Sequence, residues 1–442
     1  MAVELNDLHL AELHERAAEA GIPGYRKLRR EELIEALSEG KTPRRRFGRR
    51  PRRDREPSPP EPEPAAEEAD TDELEAVGTM LEDAGEEPET AVGTEEPKTE
   101  EVRGVLELTR QRYGFLRLGG LAPADGDVYI SAAQVRRCEL RPGDEVLGPA
   151  REPRRGERHR ALVHVDQVNG ADPQEAGRAD FDSLAPVLPE RRIALDAVAD
   201  DILVRAVDLL APLAFGQRVL VRAAPRSGRT TLLRSIARAG AADDSARVVG
   251  LFVDEAPEEA TAWRDAVPAA EFAIATADQA PAEQVRIAEL ALERSRRLAE
   301  AGVNAVLICD SLSRLATAAG DAAEVKRLFG SGRNLAGGGS LTVVATVLAD
   351  SSDEGEAERA VITTETALVV LDPALAARGV TPALRAAECA VSNEEGIREP
   401  AELEAARRLR ATVAELEPAE AAVLLRDRIE ATRSNAELLA SL

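Results

Sequence analysis

Residues 217–233 read Gln-Arg-Val-Leu-Val-Arg-Ala-Ala-Pro-Arg-Ser-Gly-Arg-Thr-Thr-Leu-Leu. A strand-like run leads into a turn and then a helix-forming segment, the order in which a phosphate-binding loop is built. In the pattern G-x-x-x-x-G-K-[ST], Ala223 takes the first Gly position, Gly228 the second and Thr230 the hydroxyl position. Such a loop cradles phosphates with backbone N–H groups, and its hydroxyl holds Mg²⁺ through the nucleotide. Arg226, Ser227, Gly228, Arg229, Thr230 and Thr231 are therefore the candidate nucleotide-binding residues, with ATP and Mg²⁺ as the expected ligands. Arg229 stands at the Lys position. A compact ammonium fits between the β- and γ-phosphates; a planar guanidinium is larger, so the swap is not conservative. One line of sequence thus announces a nucleotide-binding core and puts its chemistry in question.

A second group lies upstream. Aromatic residues make up only 2% of the chain, yet Tyr113, Phe115 and Tyr129 fall close together. Tyr113 and Phe115 are two apart and share one strand face, with Arg117 following on it. Arg151, Arg154, Arg155, Arg158 and Arg160 crowd one nearby loop. Stacking aromatics beside a basic rim suit single-stranded nucleic acid. The competing reading is that the rings fill a core; the company of so many Arg favours binding.

Elements must position both groups. Residues 102–108, 113–118 and 127–130 alternate, separated by turns such as Arg141-Pro-Gly-Asp144, which predicts a small β-barrel over 102–170. Apolar strands at 218–222, 248–253, 305–309, 341–348 and 367–371 alternate with helical stretches such as 281–301. That order predicts a mostly parallel sheet covered on both faces, across 171–398. Residues 399–442 read as an Ala/Leu/Glu-rich helical segment, and residues 1–40 as a small helical module broken by Gly21-Ile-Pro-Gly24. Between the module and the barrel, 41–101 begins with an Arg cluster and continues Pro/Glu/Ala-rich. Low hydrophobicity and blocks of like charge cannot offset ordering entropy, so disorder is expected there. The Arg cluster suits either RNA phosphates or a basic tether beside an acidic one.

Composition sets the outer limits. A chain of 442 residues has room for two or three domains. Residues 56–101 hold 18 Asp/Glu against one Lys, so 17 of the 24 excess negative charges sit in one segment. The remainder is only mildly acidic and is compatible with nucleic-acid binding. Three distant cysteines without metal spacing favour a reducing compartment. The N-terminus lacks a signal-peptide run and no stretch is apolar over 18 residues, so a soluble, cytoplasmic protein without a membrane partner is expected.

Arg112-Tyr-Gly-Phe-Leu-Arg117, Asp127-Val-Tyr-Ile-Ser131, Gln134-Val-Arg-Arg137, Arg141-Pro-Gly-Asp144 and Gly156-Glu-Arg158 resemble the cold-shock-type RNA-binding domain of the transcription termination factor Rho family. Residues 5–38 resemble the helical module that precedes it. Ala206-Val-Asp-Leu-Leu-Ala-Pro212, Gly216-Gln-Arg218, the phosphate loop, Asp254-Glu-Ala-Pro-Glu-Glu259, Asp310-Ser-Leu-Ser-Arg-Leu315, Phe329-Gly-Ser-Gly-Arg-Asn334 and Gly338-Gly-Ser-Leu-Thr342 resemble its RecA-type motor domain. The resemblance spans most of the chain outside 41–100. It implies a multidomain α/β protein: an N-terminal helical module, an OB/cold-shock-type β-barrel and a RecA-like P-loop α/β domain. It further implies a homohexameric ring that binds cytosine-rich nascent RNA and hydrolyses ATP to pull on it, with RNA polymerase as a further partner. Carried over by position, Tyr113, Phe115, Arg117, Asp127, Tyr129, Glu157 and Arg158 match the primary RNA site. Asp310 matches the residue that supports Mg²⁺, although an Asp closing a strand is also a common turn residue. Glu255 matches the carboxylate that orients the attacking water. Arg398, in Glu395-Gly-Ile-Arg398, matches the arginine finger toward a neighbouring subunit; a surface Arg before the last helix is the competing reading.

The departures from the family fall on one function. Arg229 replaces the loop Lys, and Ala256 stands where the family has Arg beside the catalytic Glu. Gly379 and Thr381 replace an Arg and an adenine-stacking Phe, and Val361-Ile-Thr-Thr-Glu-Thr366 replaces a Gly-rich turn. An RNA-gripping channel loop is missing after Ala319. A second such loop, near residues 350–356, is acidic, and acidic groups repel phosphate. Two functions follow: a working RNA-dependent ATPase and translocase, or an ATPase-deficient paralogue that binds RNA, alone or in a mixed ring with an intact Rho.

Overall fold

Alternation in the first strands closes a barrel. β1 (Thr99–Leu108), β2 (Gly114–Arg117), β3 (Val128–Ile130), β4 (Glu145–Arg151) and β5 (Arg160–Leu162) run in the order β1-β2-β3-β5-β4, and β4 pairs back onto β1. β6 (Gln167–Val168) adds to β4. Closure removes free strand edges. Leu106, Leu116, Val128, Ile130, Val146 and Leu162 point inward and form the barrel core. The short helix α1 (Ala132–Arg137) starts at a capping box between Ser131 and Gln134.

The computed structural model describes Arg16, Ala20, Leu37 and residues 99–173, 178–197, 201–348 and 354–442. The chain divides into two units, Met1–Ala69 and Asp70–Leu442. In the first, the Ala20 N–H donates to the Arg16 carbonyl at 2.9 Å, one helical step. The helical module expected over 1–40 and the linker expected over 41–101 otherwise lie outside the described residues, up to Thr99.

After the barrel, a short strand β7 (Pro186–Val187) precedes α2 (Ile202–Leu210). The larger part then alternates strand and helix: β8 (Arg218–Ala223), α3 (Arg229–Ala241), β9 (Ala246–Glu255), α4 (Pro257–Ala266), β10 (Glu271–Thr276), α5 (Pro281–Glu300) and β11 (Asn304–Asp310). It continues with α6 (Leu312–Ala319), α7 (Ala322–Gly330), β12 (Arg333–Leu335), β13 (Ser340–Leu348), α8 (Glu354–Val361), β14 (Ala367–Val370), α9 (Pro373–Ala377) and β15 (Ala390–Val391). The sheet order is β10-β9-β11-β13-β8-β14-β15, parallel throughout except at β15. Strands buried on both faces read as unbroken apolar runs. In β11, Val306 and Ile308 enter one core with Leu232 and Trp263, while Ala305, Leu307 and Cys309 enter another with Ile287 and Leu312. No helix among the described residues is long and apolar enough to cross a membrane.

Charged side chains join the barrel to the sheet. Arg294 of α5 donates to both Glu271 oxygens, at 2.7 and 2.8 Å, and to Glu145 of β4 at 2.9 Å. Arg141 reaches Glu300 at 2.7 Å. Arg286 of α5 stands 3.0 Å from Glu107 of β1. Gly143 lies against the backbone of Glu293 and Arg294 with φ +82°, so a Cβ is excluded both by conformation and by space.

Helices α10 (Pro400–Ala414), α11 (Pro418–Glu430) and α12 (Asn435–Ala440) end the chain and pack on α2. Buried ions fasten them. Asp208 pairs with Arg192 and accepts from Asn435 at 2.8 Å, and burial pushes its carboxyl above the usual range. Arg205 donates to the Ile429 and Thr432 carbonyls, both at 2.9 Å. Arg398 has no exposed side-chain surface. It donates to Glu394 at 2.9 Å and to the Asp208 and Leu209 carbonyls at 2.7 and 2.9 Å. Last-turn carbonyls lack intrahelical donors, so Arg398 caps α2 from outside. Arg398→Ala strands both carbonyls and empties a buried site. We expect a loss of about 3 kcal/mol in urea unfolding, with part of it recovered in Arg398→Lys; an unchanged midpoint would count against this capping role.

Candidate nucleotide and nucleic-acid sites

β8 lies inside the sheet, so its carboxyl end opens beside those of β13, β11 and β9. Ligands in such sheets bind outside these strand ends. Between β8 and α3 the chain turns through residues 224–228. Ser227 is buried and its hydroxyl donates to the Ala224 carbonyl at 2.7 Å. Arg226 has φ +64°, and Gly228, the N-cap of α3, has φ +93°. Gly tolerates that conformation, whereas a side chain would also press on Leu203. The N-terminus of α3 offers unpaired N–H groups to an anion. Arg226 and Thr231 are exposed there, and Arg229 and Thr230 are half-buried. The structure thus brings all six sequence-expected loop residues together.

The strand ends beside the loop carry the other expected groups. Asp310 closes β11 and is 2% exposed. One oxygen accepts from the Thr346 hydroxyl of β13 at 2.8 Å. The other lies 3.2 Å from Arg229 Nε. A divalent cation on a bound triphosphate would need Thr230 and an oxygen of Asp310, directly or through water. Both Asp310 oxygens are already engaged, one by a cation, so this residue set does not fit Mg²⁺ as arranged. Glu255 closes β9; its oxygens lie 3.1 Å from Arg314 of α6 and 3.1 Å from the Ala256 N–H. Sequence reasoning missed Thr346 and Arg314 as partners. Arg314 sat inside a quoted motif, but Thr346 lies in an apolar run with no signal of its own.

α6 and α7 are joined by Gly320 and Asp321 alone. Gly320 has φ +65° and donates to the Ala316 carbonyl at 2.9 Å, while Asp321 caps α7 through the Ala323 N–H. The junction is two residues long, with no longer loop between the helices. Of the acidic segment, residues 350–353 lie outside the described residues, and Glu354 opens α8. Ala256 precedes α4 without a side-chain cap, and Thr381 is exposed. Arg398 is not gathered with these groups; it is turned inward on α2.

On the barrel, Phe115 pairs with Tyr129 across β2 and β3, and with Glu107 across β1 and β2. Leu116 and Val128, one step along, point into the barrel core. Phe115, Arg117 and Tyr129 therefore occupy the opposite face. Tyr113, Phe115 and Tyr129 pack together with ring centroids 5.6–6.1 Å apart. His159 lies over Phe115 at 5.0 Å. Tyr113 and Phe115 are buried in this cluster and Tyr129 is half-buried. Burial raises the Tyr113 phenol above its usual pKa. It also lowers that of His159, with Arg158 adding to the fall. Arg117 is buried; it pairs with Asp127 and with Glu107, at 2.7 Å through Nε, and sits 5.6 Å from the Phe115 ring centre. Asp127 also accepts from the Ala124 N–H at 2.8 Å. Glu157 takes a two-pronged bond from Arg151, at 2.6 and 2.7 Å, which holds its carboxyl below the usual range. Arg158 is exposed. The aromatic group is thus gathered on the barrel face away from the core and braced by Arg117, itself held by Asp127, while Glu157 is held apart by Arg151, and Arg158 is the sequence neighbour of His159. Sequence reasoning missed Glu107 and His159.

Residues 4–42 match the Rho termination factor N-terminal domain, and residues 102–174 its RNA-binding domain. Residues 204–331 match the nucleotide-binding domain of the ATP synthase alpha/beta family. The chain is 39% identical over 270 residues to the transcription termination factor Rho of Bacillus subtilis (strain 168), covering 57% of this chain and 63% of that one. It is 36% identical to that of Streptomyces lividans, covering 76% and 51%. It is 34% identical to that of Rhodopirellula baltica, covering 76% and 71%. The matched regions thus span 51–63% of the first two relatives. Both the barrel and the sheet have their counterparts in these matches, and the chain belongs to the transcription termination factor Rho family.

Proposed function

We propose that this chain is an RNA-binding termination factor of its family whose motor domain holds a nucleotide but turns it over poorly. The observation that carries the RNA reading is the side of the sheet on which the aromatics lie. They face away from the barrel core, so core packing does not explain them. Arg158 nearby supplies charge, and the half-buried Tyr129, backed by the packed Tyr113 and Phe115 rings, offers a stacking surface for pyrimidine-rich single strands. Slow turnover is supported by Arg229 on Asp310, where the family has a lysine in the loop. The carboxylate expected to support the metal is held by a guanidinium ion instead.

A ring-forming partner role rests on the family, and contact with RNA polymerase rests on it alone. The two-residue junction at Gly320 and Asp321 favours a second reading, a guest protomer in a ring with an intact Rho. Such a protomer would leave a gap in the channel's grip on RNA.

Two measurements test the main reading. Labelled oligocytidine is titrated against the full chain and against a Tyr113→Ala, Phe115→Ala double variant. Each lost stacking ring should weaken binding by about 1–3 kcal/mol; unchanged affinity in a folded variant would refute the assignment. Steady-state phosphate release from ATP, with and without RNA, should fall well below the usual enzyme range of about 1–10³ s⁻¹. Turnover within that range would restore the ordinary motor role.

A further inference from the structure

The structure assigns Arg229 the place of a built-in counter-ion: we propose that the phosphate loop binds the polyphosphate of a nucleotide without a divalent cation. This rests on the reading that the loop holds a nucleotide.

The carboxylate that would attract a metal already has a cation. Arg229 Nε stands 3.2 Å from one Asp310 oxygen, and the Thr346 hydroxyl bonds the other at 2.8 Å. Asp310 is 2% exposed and the Arg229 side chain 16%. A metal entering here must either displace the guanidinium or sit beside it as a like charge, and both oppose its binding. Among the described residues Arg229 has no second ion-pair partner. Its terminal nitrogens are available to phosphate oxygens, which a planar guanidinium binds in two-pronged fashion. Arg226, exposed in the same turn, is a second guanidinium beside the N-terminus of α3. Two guanidinium ions and the helix N-terminus outweigh the single negative charge of Asp310. The site has the balance of an anion site, with neutralisation supplied by side chains rather than by a metal.

Asp310 then acquires an unusual role. Where a carboxylate holds a metal, removing it weakens nucleotide binding. Here it competes with phosphate for Arg229, so removing its charge strengthens binding.

The test is calorimetric titration of the full chain with ADP and, separately, pyrophosphate, each in excess EDTA and in excess MgCl₂. Equal ADP affinity in the two conditions, within about twofold, is expected. A loss of about tenfold or more in EDTA would overturn the proposal. Asp310→Asn should tighten ADP binding in EDTA by about threefold or more, and weaker binding in a folded variant would overturn it. If that variant melts early, Arg229→Lys decides: a metal requirement of about tenfold should appear, and continued indifference to EDTA would locate the effect elsewhere and sink the role of Arg229. Pyrophosphate separates this proposal from the nucleotide reading. Metal-free binding of pyrophosphate without binding of ADP would leave the anion site standing and remove the nucleotide. Binding of neither would remove both.

Discussion

A carboxylate closed off from water must have a positive partner or lose its charge. Asp310 is such a group, buried at the end of a strand whose interior, Ala305 to Cys309, is apolar. The surrounding structure is arranged around its neutralisation. β13 brings Thr346 to one oxygen, and the first residue of α3 brings a guanidinium to the other. That contact ties the phosphate loop to a strand two places away in the sheet. The loop is therefore held by an internal ion pair and by the Ser227 bond to Ala224.

The same settlement recurs wherever motif comparison points to a charged residue with an external role. Arg117 braces the aromatic face through Glu107 and Asp127, beneath the rings rather than beside a ligand. Arg398 closes the end of α2. Arg314 holds Glu255 at the end of β9. Burying a charge with its partner costs desolvation that only close geometry offsets. Each of these guanidinium ions would have to break such contacts before serving a ligand.

Much of the fold was legible because burial on both faces leaves a simple trace. The apolar runs at 218–222 and 305–309 became β8 and β11 with ends shifted by a residue, and the helical run at 281–301 became α5. β4 went unseen because Gly148 and Pro149 break its apolar pattern. At the barrel, spacing by two told that Tyr113 and Phe115 share a face but not which face. The register of Phe115 on Tyr129 and Leu116 on Val128 decides that. The candidate nucleotide loop was legible as a contiguous motif. The partners of its ions were not, since Arg229 and Asp310, or Glu255 and Arg314, meet only once the parallel strands are in order.

Glu107 has one oxygen on Arg117, within the barrel, and the other on Arg286, in α5. Glu145 is likewise divided between Arg103 of its own barrel and Arg294 of α5. The barrel is therefore not an interchangeable module. Grafted onto another sheet domain, it would carry carboxylates whose second cations had stayed behind, and Gly143 would lose the helix it was shaped to meet. Its sequence is written partly in α5, and the two halves of that text must vary together if they are to vary at all.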